Sequence, residues 1–213
     1  MIKVEIWTDI LCPWCYIGKR QFEQALEQFS HKDEVEVQYH SFELDPNADR
    51  DPGMDSFELL AKKYGVTREK AADMHRNVSE RAAGVGLEYH LDVTKPTNSF
   101  DAHRLIHFAA SKGRAHEMVE KLSAAYLTEG KHIGDPGSLQ AIAAAAGLDT
   151  HETAEVLNSD AFAAQVRADE QEAGQLGIKG VPFFVFDRKY GVSGAQGSEV
   201  FGEVLKKAWG EVP

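Results

Sequence analysis

Asp9-Ile10-Leu11-Cys12-Pro13-Trp14-Cys15-Tyr16-Ile17-Gly18 decides how this chain is read, because it lies where a strand pattern gives way to a helix pattern. Upstream, Ile2-Lys3-Val4-Glu5-Ile6-Trp7-Thr8 alternates in character and is rich in β-branched and aromatic residues, which predicts a strand over 2–8. Downstream, Phe22, Ala25, Leu26 and Phe29 share one face of a helix predicted over 16–29, with Pro13 in a first turn that tolerates proline. A short polar linker leads to a second strand at 35–42. Two strands joined by a helical crossover are expected to run parallel.

Cys12 and Cys15 are the only cysteines among 213 residues. A disulfide-stapled scaffold would carry more, dispersed along the chain. Two cysteines placed at random would fall three apart about one time in a hundred, so the spacing asks for a chemical reading. At a strand-to-helix junction the first sulfur lies near unpaired backbone N–H groups and the positive end of the helix dipole, which favours the thiolate. Thiolate is the nucleophile of thiol–disulfide exchange, and a second cysteine one turn on can attack the mixed disulfide and release the substrate. On this reading Cys12 attacks and Cys15 resolves. The competing readings are inert thiols or half of a zinc site. Tetrahedral zinc needs two more ligands, and none of the nine histidines forms a compact pair nearby, so no metal is expected.

From Asp45 the composition changes. Residues 45–53 form a loop by their turn residues, and about a hundred residues after them are helical in pattern. Helices are expected near 55–64, 67–83, 99–112, 115–129, 137–146 and 150–158, and a longer one over 160–176 ends at Gly177. Asp55 with Glu58 and Asp149 with Glu152 have capping-box spacing, and Asp135 before Pro136 reads as an N-cap followed by proline at N1. Strands return at 182–186 and 190–193 as a hairpin turning at Asp187-Arg188-Lys189, and a last helix covers 198–209. Neither flank has enough strands to close a sheet alone. The expected architecture is therefore α/β, one domain built from 1–48 and 165–213 with an all-helical insertion over 49–164.

A balance of 23 Lys+Arg against 34 Asp+Glu, net −11, argues against DNA, RNA or an anionic membrane as the main partner, since binding there rests on basic side chains. No apolar run approaches the roughly 20 residues that span a bilayer, and no leader pattern opens the chain, so a cytoplasmic location is expected. Nothing suggests a coiled coil or a long exposed edge, which points to a monomer or a loose dimer. No G-x-G-x-x-G follows a strand, so a flavin or nicotinamide is not indicated.

Strand, Cys12-Pro13-Trp14-Cys15, helix, strand, helical insertion and then Gly180-Val181-Pro182-Phe183-Phe184-Val185 resembles the DsbA-like branch of the thioredoxin superfamily, and specifically its FrnE-like subfamily. The likeness covers essentially the whole chain. Its most specific elements are residues 12–18, Ser41-Phe42-Glu43-Leu44, the stretch from Asn98 to Arg104, and residues 177–182. The resemblance implies a thioredoxin fold and a cis Val181–Pro182 bond, with Pro182 facing the cysteines and the Val181 backbone pairing with an extended substrate. From the residues alone, a trans proline at the start of a strand would be favoured. The chain departs from the pattern twice. Trp14 stands where DsbA itself carries His and brings no charge, which predicts a milder oxidant. Ile6 stands where thioredoxin-like enzymes often bury an acid; Asp9 is the nearby alternative base, with a helix-capping or solvated aspartate as its bland reading.

In the insertion, Asn98 reads as an N-cap, with Phe100, His103 and His107 along one helix face. The resemblance places this helix over the cysteine site and makes Asn98, Phe100, His103 and Arg104 candidate substrate-binding residues. The residues alone favour partly exposed histidines and an Arg104 paired with a carboxylate. Trp14 reads as part of an exposed apolar rim, and Phe183, Phe184 and Phe186 as core strand.

These readings converge on an enzyme exchanging disulfides with protein or small-molecule thiols. It would need no cofactor beyond glutathione as a co-substrate. The runner-up is a glutathione-dependent isomerase or transferase, because 2-hydroxychromene-2-carboxylate isomerases and kappa-class glutathione transferases share the architecture. Those relatives usually carry Ser in place of the first Cys, so keeping both cysteines counts against it. A non-catalytic binding module using the apolar rim is the third reading.

Overall fold

The computed structural model describes residues 1–210. β1 (Ile2–Thr8) is an inner strand, with β2 (Val35–Ser41) parallel to it from Ile2 opposite Val35 to Thr8 opposite Ser41. β3 (Phe183–Phe186) takes the other edge of β1 antiparallel, and β4 (Tyr190–Ser193) pairs with β3, giving the order β2-β1-β3-β4. The helices are α1 (Pro13–Glu27), α2 (Ser56–Tyr64), α3 (Arg68–Ala83), α4 (Phe100–Ser111), α5 (Ala115–Leu127), α6 (Pro136–Ala145), α7 (Thr150–Leu157), α8 (Ala163–Gln175) and α9 (Ser198–Trp209). The chain divides into two compact units: Met1–Leu44 with the chain from Arg167 onward, and the all-helical Asp45–Val166. No helix among the described residues is long and apolar enough to cross a membrane.

Strand alternation gives the sheet two different faces. On one, Ile2, Val4 and Ile6 of β1 join Phe184 and Phe186 of β3, Phe22 of α1 and Phe201 of α9, all almost completely buried. The Phe184 and Phe201 rings lie 4.5 Å apart, and Phe22 sits 5.7 Å from Phe184 and 5.9 Å from Phe201. The two edge-to-face pairs, Phe184–Phe201 and Phe22–Phe201, add about 0.5–1.5 kcal/mol each beyond the area they bury. The other face is anchored by Trp7 and Val185, with Ala173 of α8 and Ile178 against them.

That second face also buries charge. Glu5, 1% exposed, ion-pairs with Arg188, whose Nη2 donates to it at 2.5 Å; Lys3 Nζ lies at 3.4 Å and His40 Nε2 at 3.3 Å. Burial pushes the Glu5 carboxyl up, but Arg188, with Lys3 and His40, outweighs it and holds the group below its ordinary range. His40 stacks on Trp7 with centroids 4.3 Å apart, and its Nδ1 lies 2.7 Å from Asp169 Oδ1. An ionised carboxylate only accepts, so Nδ1 carries the proton. Asp169 Oδ2 accepts from the Ser41 N–H at 2.7 Å, and its carbonyl accepts from Trp7 Nε1 at 3.1 Å. His40, Asp169 and Glu172 bring ligand-type atoms within 4.8 Å of one another, but the Arg188 guanidinium, 2.7 Å from Glu172, already supplies the counter-charge.

Three local expectations need correction. α1 starts at Pro13 rather than 16, because proline at N1 is pre-organised for the helix and Cys12 takes the N-cap position. α8 starts at Ala163 rather than 160, since Phe162 adopts a left-handed backbone (φ 64) outside the helical region. Ser99, not Asn98, is the N-cap of α4; Asn98 Oδ1 accepts instead from the Phe100 N–H at 2.8 Å, closing a local turn. The Asp55–Glu58 capping box is reciprocal, and Asp135 caps α6 through the Ser138 N–H. Asp149 caps α7 through the His151 and Glu152 N–H groups.

Candidate active site

β1 delivers the chain to a tight turn in which the Cys12 N–H donates to the Asp9 carbonyl and the Cys15 N–H to the Cys12 carbonyl, both at 3.1 Å. Cys12 therefore occupies the N-cap of α1, a position where a side chain normally accepts from the first turn, and Cys15 follows one turn on. The two are 5% and 4% exposed. The Cys12 thiol donates to the Val181 carbonyl at 3.6 Å. The Val181–Pro182 bond is cis, and Pro182 is buried.

Gly18 makes this approach possible: a Cβ there would lie 2.9 Å from Pro182 Cγ and 3.5 Å from the Phe184 ring. Gly18→Ala gains helix propensity of about 1 kcal/mol but forces the Pro182 loop away from the helix that carries both cysteines. Disulfide exchange with a model peptide disulfide should fall roughly ten- to hundredfold, the scale of a displacement near 1 Å. A rate within twofold of the parent would show that the contact is idle.

Asp9 is neither a helix cap nor solvated, contrary to its bland reading. It is 1% exposed; Oδ1 accepts from the Leu11 N–H at 3.3 Å and Oδ2 from the Leu44 N–H at 2.8 Å. Its carboxylate thus ties the cysteine turn to the end of Ser41-Phe42-Glu43-Leu44, while its main-chain N–H donates to Cys15 Sγ at 3.5 Å. Burial pushes the Cys15 thiol far up, and the neighbouring Cys12 adds to this; the Thr8 hydroxyl and the Asp9 N–H pull the other way. Trp14 is 43% exposed and Leu44 37%, the apolar margin of the turn.

A family model described as a DSBA-like thioredoxin domain matches residues 3–206. The chain belongs to the DsbA-like thioredoxin domain family. A crystal structure of a probable DsbA oxidoreductase from Streptomyces coelicolor is 45% identical and covers 100% of this chain and 92% of its own, with a TM-score of 0.95. Protein YwbO of Bacillus subtilis (strain 168) is 27% identical over 96% of both chains. The cytosolic disulfide reductase DsbM of Pseudomonas aeruginosa, solved with GSH, shares the fold at 16% identity, with a TM-score of 0.68 over 97% of this chain and 98% of its own.

Elsewhere in this DsbA-like chain, the insertion candidates separate. Asn98 and Phe100 line a cleft of about 270 Å³ in the helical unit together with Arg50, Asp101, Ala48 and Gly134. His103 and Arg104 are not among its lining residues. His103 is fully buried rather than partly exposed, and His107 is half-buried. The Arg104 guanidinium pairs with Asp101 at 2.8 Å and donates to the carbonyls of Ala161 at 2.9 Å, Val156 and Ser159, bracing the segment that leaves α7. Sequence reasoning missed Gly18, Thr8 and the His40–Asp169 pair. Only the first carried a local signal, a glycine inside an otherwise regular amphipathic helix.

Proposed function

We propose that this DsbA-like protein is a thiol–disulfide oxidoreductase working through Cys12 and Cys15 on protein or small-molecule thiols. The observation that carries the reading is the Cys12 thiol at the N-cap of α1, 3.6 Å from the Val181 carbonyl that precedes cis-Pro182. In the reducing direction, Cys12 Sγ attacks a substrate disulfide, one substrate thiolate leaves, and a mixed disulfide forms. Cys15 then attacks Cys12, the second substrate thiol departs, and two electrons have passed to the substrate. Two glutathione molecules would restore the dithiol and leave as glutathione disulfide; a DsbM solved with GSH makes that reductant a reasonable partner for the fold. In a glutathione-reduced compartment such a site acts as a reductase or isomerase. Asn98 and Phe100, at the cleft of the helical unit, are the proposed substrate contacts there, with Arg104 in a supporting role.

Equilibration in graded glutathione buffers, with thiols alkylated and counted by mass, tests this. One two-electron transition is expected, more reducing than DsbA's roughly −120 mV because Trp14 brings no charge to the thiolate. A midpoint near thioredoxin's roughly −270 mV would make it a reductase, and one nearer −180 mV an isomerase. If no intramolecular disulfide forms, or Cys12 settles as a stable glutathione adduct, the reading falls and a glutathione-dependent isomerase or transferase replaces it.

A further inference from the structure

We infer that Glu43 is a positioning residue for the cysteine pair: its ion pair with Arg167 fixes Ser41-Phe42-Glu43-Leu44, the segment to which the Asp9 turn is fastened. The inference rests on the oxidoreductase reading and assigns a residue to its resolving step.

The segment follows β2 and is held at each of its residues. Its successive main-chain N–H groups donate to Asp169 Oδ2 at 2.7 Å, the Thr8 carbonyl at 3.1 Å, Glu170 Oε1 at 3.3 Å and Asp9 Oδ2 at 2.8 Å. Those acceptors belong to α8, β1 and the cysteine turn, which the segment thereby joins. The Glu43 side chain is fully buried and ion-pairs with Arg167 of α8, whose Nη1 also lies 2.7 Å from Glu170 Oε2. Glu43 is thus tied to α8 twice, through its N–H and through its carboxylate.

Place in the chain accounts for a charge buried here. Glu43 is the next-to-last residue before the chain leaves for the helical unit, and Arg167 is the first after it returns. Desolvation of such a pair largely offsets its Coulomb attraction, so stability alone gives little reason for one. Geometry gives a better reason. The pair closes the two ends of a long insertion on each other, one residue from the N–H that Asp9 holds.

From Leu44 the path to the sulfurs is short. The Asp9 carboxylate accepts from Leu44 through Oδ2 and from the Leu11 N–H through Oδ1. The Asp9 main chain touches both cysteines: its carbonyl accepts from the Cys12 N–H at 3.1 Å, and its N–H donates to Cys15 Sγ at 3.5 Å. Loosening Leu44 lets Asp9 shift, which moves Cys12 relative to Cys15 and weakens a donor to the Cys15 sulfur. Attack by Cys12 on an outside disulfide does not use the Cys12–Cys15 geometry; closure of Cys15 on Cys12 depends on it. In that closing step the Cys15 thiol gives its proton to the buffer and its sulfur bonds to Cys12 Sγ. The bond from Cys12 to the substrate sulfur breaks, and its electron pair leaves with the substrate as a thiolate.

The test uses the reduced full chain and dithiobis(nitrobenzoate), which releases one thionitrobenzoate when Cys12 attacks and a second when Cys15 resolves. The first release scales with reagent concentration; the second does not. In Glu43→Gln the second release should slow ten- to hundredfold relative to the first, the scale of a displacement near 1 Å. Its pH profile should move to higher pH, because a weakened N–H donor leaves the thiolate less favoured. Arg167→Met, at a side chain that is 49% exposed, should act in the same direction. The double variant should be no slower than the slower single, since both changes break one link. A second release from Glu43→Gln at the parental rate and pH profile overturns the inference, as does an equal slowing of both releases or single effects that multiply. Should Glu43→Gln not fold, Arg167→Met decides by the same readings of rate and pH profile. A parent protein that never releases the second equivalent overturns the oxidoreductase reading itself, a result distinct from any difference among these variants.

Discussion

Cys12→Ser is expected to lower disulfide exchange roughly a thousandfold or more, and Cys15→Ser to collect as a covalent adduct with its substrate. A serine hydroxyl stays protonated at neutral pH and is a poor nucleophile toward sulfur, so removing Cys12 removes the first bond-forming step rather than slowing it. Removing Cys15 leaves that step in place and deletes only the escape from the mixed disulfide. The burial of Cys15 sharpens the contrast, because few external thiols can replace a sulfur held one turn away inside the fold. Insulin-reduction rates and intact mass after a glutathione disulfide challenge check both variants. Exchange by Cys12→Ser above a few per cent of the parent, or a Cys15→Ser protein that never gains mass, would contradict the assignment of roles.

Asp169→Ala is expected to cost about 3 kcal/mol of stability. The change strips the Ser41 N–H of its acceptor at 2.7 Å and His40 Nδ1 of its partner at 2.7 Å, both in buried surroundings. Each hydrogen bond to a carboxylate is worth about 1.5–3 kcal/mol, and an orphaned buried donor keeps its desolvation penalty. For a chain of this size, 3 kcal/mol corresponds to roughly 6–12 °C in Tm. Asp169→Asn, which keeps one acceptor oxygen, should lose less. A calorimetric scan showing Asp169→Ala within about 2 °C of the parent would mean that the pair contributes little.

What could be read from the chain follows the range of the forces involved. β1, β3, β4 and α9 fall where alternation or helical spacing put them, because a sheet against helices needs the same apolar faces that the pattern advertises. The parallel pairing of β1 with β2 follows from the crossover. The Cys12–Cys15 spacing announces its chemistry locally. The approach of Val181 to Cys12 does not: nothing short-range links residues 169 apart, and only the likeness to a family suggested it. His40 against Asp169, 129 residues apart, left no trace in the pattern, since a histidine near the end of a strand and an aspartate in a polar helix each look ordinary alone. In α4 the periodicity puts Phe100, His103 and His107 roughly along one face, but a wheel cannot say which side of a helix meets the core. His103 went inward and Phe100 stayed half-buried at the cleft.

The strand order β2-β1-β3-β4 also bears on how the protein comes to be made. The edge of β1 that β3 occupies, and the carbonyl that meets Cys12, belong to a part of the chain that leaves a ribosome long after both cysteines. A nascent chain holding Met1–Leu44 and the whole helical unit already carries both thiols, yet lacks the strand that completes their surroundings. Pairings this distant in sequence are slow to form because a long loop must close first. Until residues 181–186 have been made and docked, the dithiol is exposed to whatever oxidants and half-folded neighbours surround it, so a reducing compartment would protect the nascent protein from its own reactivity.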